Sequence, residues 1–437
     1  MGMKSVFKAT TLRVSLNVFL GQHGASVGEL IYVKDGAREF SQFAYAQDWL
    51  TNPACFDVSP DLIRQAGFQL RKPATQRDSC FLLALADTEP DAWGRRVIAR
   101  AHAKAREKNA SLAALTSVDY LTAVDDFSRI GALRLSASSL SASNKADETS
   151  ASQHTTPILV DLGKILDASR SVELGTDTAG DLKYLQGKGT SLGGMRPKCT
   201  LQDTDGALAL GKFPSVGDVR SVTKGEVLAL HLAALARIDA AQSRIVTVNE
   251  QPIAIIRRFD RTASHARIPY ISGATLLQAN REDEHAYTEV LDMMRTGCQD
   301  FSKDAKQLWR RLLFNHLINN VDDHLQNIGF LYAGNNLWRL SPAFDLNPFP
   351  DKDRESKTWL SEDTGPVTSV RQLVTYAPHF GLSVDESQAV IAEVVAALLR
   401  WREVAMSAEV GMTQAELLEF KSAFEGAALN EAKALIL

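Results

Sequence analysis

Two periodicities divide the chain. In TLRVSLNVFL (11–20) and VGELIYVK (27–34), β-branched and aromatic residues alternate or cluster as half-buried strands require. Asp35-Gly36 suits the turn that follows, and EFSQFAYAQDWL continues beyond it, so a small antiparallel β unit is expected. Residues 60–70 and 90–120 have helical spacing, and DAWGRRVIARAHAKAREK carries a basic face. Strand-like runs return at KCTLQ (198–202), LALGKF (208–213), RIVTV (244–248) and PIAIIRRF (252–259), with the helix GEVLALHLAALARI (225–238) inserted among them.

From about residue 275 the pattern is mainly helical. QLWRRLLFNHLINNV (307–321) sets Leu308 and Leu312, and Trp309, Leu313, Leu317 and Val321, on apolar rows. Ser383 with Glu386 and Thr413 with Glu416 fit capping boxes ahead of apolar runs. Val390, Ile391, Val394, Val395, Leu398 and Leu399 form a stripe that reads as core packing. Between Ser136 and Ser152 seven residues are serine, too little apolar surface to offset ordering entropy, so a mobile linker is expected there. The expected division is a β-rich subdomain over 1–135, a linker over 136–156, an α/β part over 157–270 and a helical lobe over 271–437.

Composition narrows the class. At 437 residues, with 45% hydrophobic and 23% charged residues, the chain reads as an ordinary globular protein of more than one domain. A net charge of -4 argues against a generally basic nucleic-acid binder, and the basic helix over 91–108 reads as a solvated face before it reads as a DNA surface. Cys55, Cys80, Cys199 and Cys298 are scattered without a CxxC pair, which argues against a zinc knuckle and points to a reducing compartment. No signal-peptide pattern opens the sequence, and no stretch reaches the ~18 apolar residues of a membrane span. A cytoplasmic protein with no membrane contact is expected.

The chemistry lies in NNVDDHLQNIGFLY (319–332) and LSPAFDLNPF (340–349). Asp322, four residues, then Asn327, and after an expected hairpin Asp345, is an order that suits an ATP site. One carboxylate faces an attacking hydroxyl, while an amide oxygen and a second carboxylate hold Mg²⁺. The bland alternative is that Asp322-Asp323 ends a helix and Asp345 starts a turn. GKGTSLGGMRPKCTL (187–201) adds a glycine-rich loop with Arg196 and Lys198, though not a Walker A motif. Lys212 ends an apolar strand, and Glu226 lies a helix start later, so an ion pair between them is expected. PIAIIRRFDR (252–261) runs into a connecting segment where an adenine would take backbone hydrogen bonds.

Taken together, these segments resemble the HipA family of bacterial serine/threonine kinases, the toxin halves of toxin–antitoxin pairs. The resemblance rests on GELIYVKDG, FAYAQDWL, EPDAWGRRV, DDFSRIGALRL, SLGGMRPKCTL, RRFDR, VDDHLQNIGFLY and LSPAFD. It implies an α+β, two-lobed fold of the HipA and phosphatidylinositol-kinase-like type, with a β-rich N-terminal lobe and an all-helical C-terminal lobe. It implies Asp322 as catalytic residue, with Asn327 and Asp345 as Mg²⁺ ligands. ATP contacts are implied at Gly193, Gly194, Met195, Arg196, Pro197 and Lys198, at Lys212, and at Arg257, Arg258 and Phe259. Further ATP contacts fall on His324, Leu325 and Gln326 with Asn327, and on Phe344, Leu346 and Asn347 with Asp345. Ser191, with Thr190 beside it, falls on the family's autophosphorylation site.

The implied partners are a HipB-like helix-turn-helix antitoxin, operator DNA through that antitoxin, and a translation component as substrate, namely an aminoacyl-tRNA synthetase. The sequence departs from the family at Asp323, where glycine is frequent, at Gln326, where lysine occurs, in the RPK of the loop, and at Arg257 in place of a glutamate. Rival readings are a catalytically inactive HipA-like co-repressor, a metal-dependent nuclease using Asp322, Asp323 and Asp345, and a small-molecule or lipid kinase.

Overall fold

Five antiparallel strands form the first sheet: β1 (Leu12–Leu20), β2 (Ala25–Asp35), β3 (Arg38–Tyr45), β4 (Phe68–Arg71) and β5 (Leu133–Ala137), in the order β4-β3-β2-β1-β5. The computed structural model describes residues 11–436 except 23, 76, 138–160, 187–193, 281–282 and 351–354. Most of the expected serine-rich linker therefore lies outside the described residues. The alternation read along β1 to β3 is real, and it buries Val18, Val27, Leu30, Tyr32 and Phe43 on one side.

Residues 60–70 are not a helix. The segment runs through turns into β4, and its polar groups serve a neighbour: Ser59 Oγ accepts the Ala84 N–H and Asp61 accepts the Leu83 N–H, at the start of the helix Leu83–Ala86. The expected helix over 90–120 is two, Ala92–Lys108 and Ser117–Thr122, with irregular chain between. Part of the basic face of the first is occupied internally. Arg100 and Lys104 pair with the buried Asp177, and Arg96 donates to the Val172 carbonyl.

The second sheet holds β6 (Lys198–Gln202), β7 (Leu208–Lys212), β8 (Ser243–Val248) and β9 (Gln251–Arg257), antiparallel in the order β6-β7-β9-β8. One face packs on the helices Leu162–Leu174 and Ala179–Leu185, with Trp93 and Val97 of the earlier helix in the same cluster. The other supports the helix Val222–Leu235, which is largely buried.

The C-terminal part is not all helical. β10 (Tyr270–Ser272), β11 (Gly329–Gly334) and β12 (Leu337–Leu340) form a third sheet, with β11 central. Its aromatic residues explain it: Tyr332 stacks on Phe56 at 3.9 Å, and Trp338 meets Tyr332 edge-on at 5.6 Å. Around it lie the helices Phe301–Leu317, Val384–Leu398 and Gln414–Phe424, and both capping boxes, at Ser383 and Thr413, are formed. The stripe from Val390 to Leu398 is buried, whereas Leu399 is exposed.

Candidate active site

β7 ends at Lys212, whose ammonium lies 2.7 Å from Glu226 Oε1 and 2.7 Å from Asp345 Oδ1. Glu226 comes from the buried helix Val222–Leu235, and Asp345 from the segment after β12. The expected Lys212–Glu226 pair is present, and the acidic end joins it directly. Burial alone would push Lys212 down, but the two flanking carboxylates overcome it and hold it above the usual lysine range. Burial would raise Asp345, yet Lys212 and the more distant Lys198 keep it well below the usual carboxylate range. Burial pushes Glu226 up against the attraction of Lys212, and the charge of Asp345 adds to that push. Asp345 also sits at φ +55°, in the left-handed region that costs a non-glycine residue strain, and Asn347 Nδ2 donates to its Oδ1 at 3.0 Å.

A cleft opens beside this cluster. Ile130, Leu210, Ile256, Phe259 and Phe344 supply its apolar wall; Lys212, Glu226 and Asp345 supply its charged end. The lining suits a small ligand with an apolar body and a charged tail. The Arg258 side chain turns away into a buried network: Nη2 binds Asp260 at 2.6 Å and Nη1 donates to the Ser128 carbonyl at 2.6 Å. Arg257 pairs at the surface with Asp205, also at 2.6 Å. The Arg257 and Arg258 side chains are thus engaged elsewhere, while the Phe259 ring lines the cleft.

The glycine-rich loop is described only from Gly194. Ser191, Thr190 and Gly193 lie outside the described residues. Gly194 has φ +103°, a backbone conformation that favours glycine, and a Cβ there would also stand 2.7 Å from Lys198 Nζ. Met195 is exposed, Arg196 pairs with Asp218, and the Pro197 carbonyl accepts the Phe213 N–H at 2.9 Å. Lys198 is opposite Lys212 in the β6–β7 ladder and buried, 3.0 Å from Asp91 Oδ2. Asp91 also caps the helix Ala92–Lys108 through Gly94 N–H, a link that no sequence spacing announces.

Asp322 follows the helix Phe301–Leu317. Its main-chain carbonyl accepts Asn327 Nδ2 at 2.8 Å, which turns the Asn327 amide oxygen inward. That oxygen is buried without a protein partner, as is Asn320 Oδ1. Asn320, Asn327 and Asp345 line a second cavity beside the first, with Phe344 and Asp345 common to both. An unpaired buried amide oxygen and a carboxylate facing one space fit a hard cation such as Mg²⁺, which takes few protein ligands and completes its shell with water and phosphate. Among the described residues no three His, Cys, Asp or Glu converge into a metal cage. The nuclease arrangement needs Asp323 as a third metal ligand, but its buried carboxylate is taken up by Tyr287 and Ser356. His324 Nδ1 is also buried without a partner, and Leu325 and Leu346 belong to the core.

Sequence reasoning missed Asp91, Asp260, Asn320 and Lys357. The first two are buried charges that pattern reading assigns to the surface, and Lys357 reaches its partner across 35 positions.

Residues 190–402 match the family model of the HipA-like C-terminal domain. A Haemophilus influenzae protein with the name "Putative kinase" is 22% identical over 188 residues, 38% of this chain and 55% of that protein. The chain thus spans about half of that relative's length. A chain of the Shewanella oneidensis MR-1 toxin–antitoxin complex of HipA, HipB and operator DNA superposes with a TM-score of 0.65 and 15% identity, over 96% of this chain and 97% of that one. That likeness concerns the fold, and it covers the N-terminal sheet as well as the cleft. The protein carries a HipA-like C-terminal domain over residues 190–402, within a fold like that of HipA.

Proposed function

We propose that this chain is an ATP-dependent serine/threonine protein kinase, the toxin half of a HipBA-like pair acting in the cytoplasm. The observation that carries the reading is the buried Lys212–Glu226–Asp345 cluster at the charged end of an apolar cleft. The adenine lies among Ile256, Phe259 and Phe344, with the phosphates toward Lys212 and the loop at Gly194–Lys198. Glu226 and Asp345 hold the Lys212 ammonium where it donates to phosphate oxygens. Mg²⁺, held by Asn327 Oδ1 and Asp345, neutralises charge on the phosphates when bound. Asp322 orients the acceptor hydroxyl and takes its proton as oxygen bonds to the γ-phosphorus and ADP departs. Positioning and fixed charge supply most of the acceleration.

The reading extends to autophosphorylation at Ser191 or Thr190, to an aminoacyl-tRNA synthetase as target, and to a HipB-like helix-turn-helix antitoxin as partner. The presence of HipB and operator DNA in the Shewanella complex supports the last of these. The test is the intact mass of the purified protein after incubation with Mg-ATP, with site mapping and an Asp322→Asn control. A phosphate gained by the wild type and not by the variant supports a kinase. A protein unmodified at the start that gains nothing is the binding-only co-repressor.

A further inference from the structure

Asp322 does not stand alone. Lys357 Nζ lies 2.6 Å from its Oδ1, and the segment that carries Lys357 is held in place by the neighbouring Asp323. The buried Asp323 carboxylate accepts Ser356 Oγ at 2.6 Å, the Lys357 N–H at 2.9 Å and Tyr287 OH at 3.0 Å. Its main-chain carbonyl accepts Thr358 Oγ1 at 2.7 Å. One residue further, the Trp359 N–H bonds the His285 carbonyl at 2.9 Å and the Trp359 carbonyl accepts the Tyr287 N–H at 2.9 Å. Two adjacent aspartates thus divide the work: Asp323 fixes the backbone of Lys357, and Asp322 receives its ammonium.

We infer that Lys357 is a positioning residue for phosphoryl transfer, holding Asp322 by Oδ1 so that Oδ2 faces the acceptor hydroxyl. This rests on the kinase reading above. The segment Asp322–Asn327 has no lysine or arginine of its own. Lys212 is committed to Glu226 and Asp345, and Lys198 pairs with Asp91. A half-exposed carboxylate without a cation would sample several rotamers, whereas proton acceptance needs it in one. The pair is a poor candidate for a stability role, because the Lys357 side chain is 59% exposed and exposed ion pairs add little to folding. Asp323, by contrast, is anchored far more heavily than an exposed loop needs, which makes sense if the direction of Lys357 matters.

The test uses the full chain and radiolabelled γ-phosphate transfer from Mg-ATP to the protein itself, with nucleotide affinity measured separately by a fluorescent ATP analogue. Lys357→Ala and Lys357→Met, the second keeping the aliphatic stem, are expected to slow transfer by about 10²-fold while leaving nucleotide affinity and melting temperature near wild type. Lys357→Arg is expected to restore most of the rate. Wild-type rates in both neutral variants, with Asp322→Asn silent, would overturn the inference and leave the kinase reading standing. A loss of affinity equal to the loss of rate would overturn it too, since Lys357 would then be a nucleotide ligand. Absence of transfer in a wild type that begins unphosphorylated overturns both.

Discussion

Lys212 and Asp345, 133 positions apart, meet at 2.7 Å. Neither is where a solvated charge would be: Lys212 ends a strand of the second sheet, and Asp345 holds a left-handed backbone after the third. Replacing Lys212 by methionine keeps the volume and leaves two buried carboxylates facing each other. We expect a loss of about 3–5 kcal/mol in denaturant unfolding and no measurable nucleotide binding by calorimetry. A variant of unchanged stability would mean the two carboxylates find another cation.

Asn327→Ala removes the inward amide oxygen and its bond to the Asp322 carbonyl. The Mg²⁺ concentration for half-maximal transfer is expected to rise about 10- to 100-fold, while nucleotide binding without Mg²⁺ changes little. An unchanged Mg²⁺ titration would remove Asn327 from the ligand set.

Gly194→Ala places a methyl against Lys198 Nζ at a backbone angle that disfavours it. The cost is expected to be about 1–3 kcal/mol, seen as weaker nucleotide affinity, because Lys198 or the loop must move. Gly206→Ala, also at positive φ but 3.7 Å from its nearest neighbour, serves as the control.

The Asp260 carboxylate receives Arg258, Arg261 and the Gly131 N–H within 2.7 Å. Burial would raise it, but the two guanidinium groups hold it far below the usual range. A carboxylate depressed in the folded state contributes stability above its unfolded pKa of about 3.9 and loses it as pH falls through the folded value. Wild-type stability should therefore decline below about pH 4. Asp260→Asn should cost about 3–5 kcal/mol at neutral pH and flatten that decline. An acid limb as steep in the variant as in the wild type would assign it to other groups.

The strands of the second sheet were legible because their apolar runs are short, β-branched and bounded by turns; β6 runs over Lys198–Gln202, the residues the pattern marks. The approach of Asp345 to Asn327 was legible because a short hairpin brings distant positions together in a predictable way. Residues 60–70 misled because Leu62, Ile63, Phe68 and Leu70 mimic helical spacing, while Ser59 and Asp61 spend their side chains on the chain at 83–84. Arg258, Asp260 and Arg261 were hidden for a different reason. Charged residues carry no periodic mark of burial, and beyond their mutual pairs the chain at Ser128–Gly131 that encloses them lies about 130 positions away.

The Lys198–Asp91 pair bears on where this protein can be cut. The family match begins at residue 190, yet the second sheet shares one apolar cluster with Trp93, Val97 and the helix Leu162–Leu174. A buried ammonium at 198 has its carboxylate at 91, and Gly131 and Ser128 bind the charged knot at 258–260. A fragment starting at 190 would strip counter-charges from the site and bare one face of its sheet. The unit that a sequence comparison recognises is smaller than the unit that folds, and the candidate site belongs to the latter.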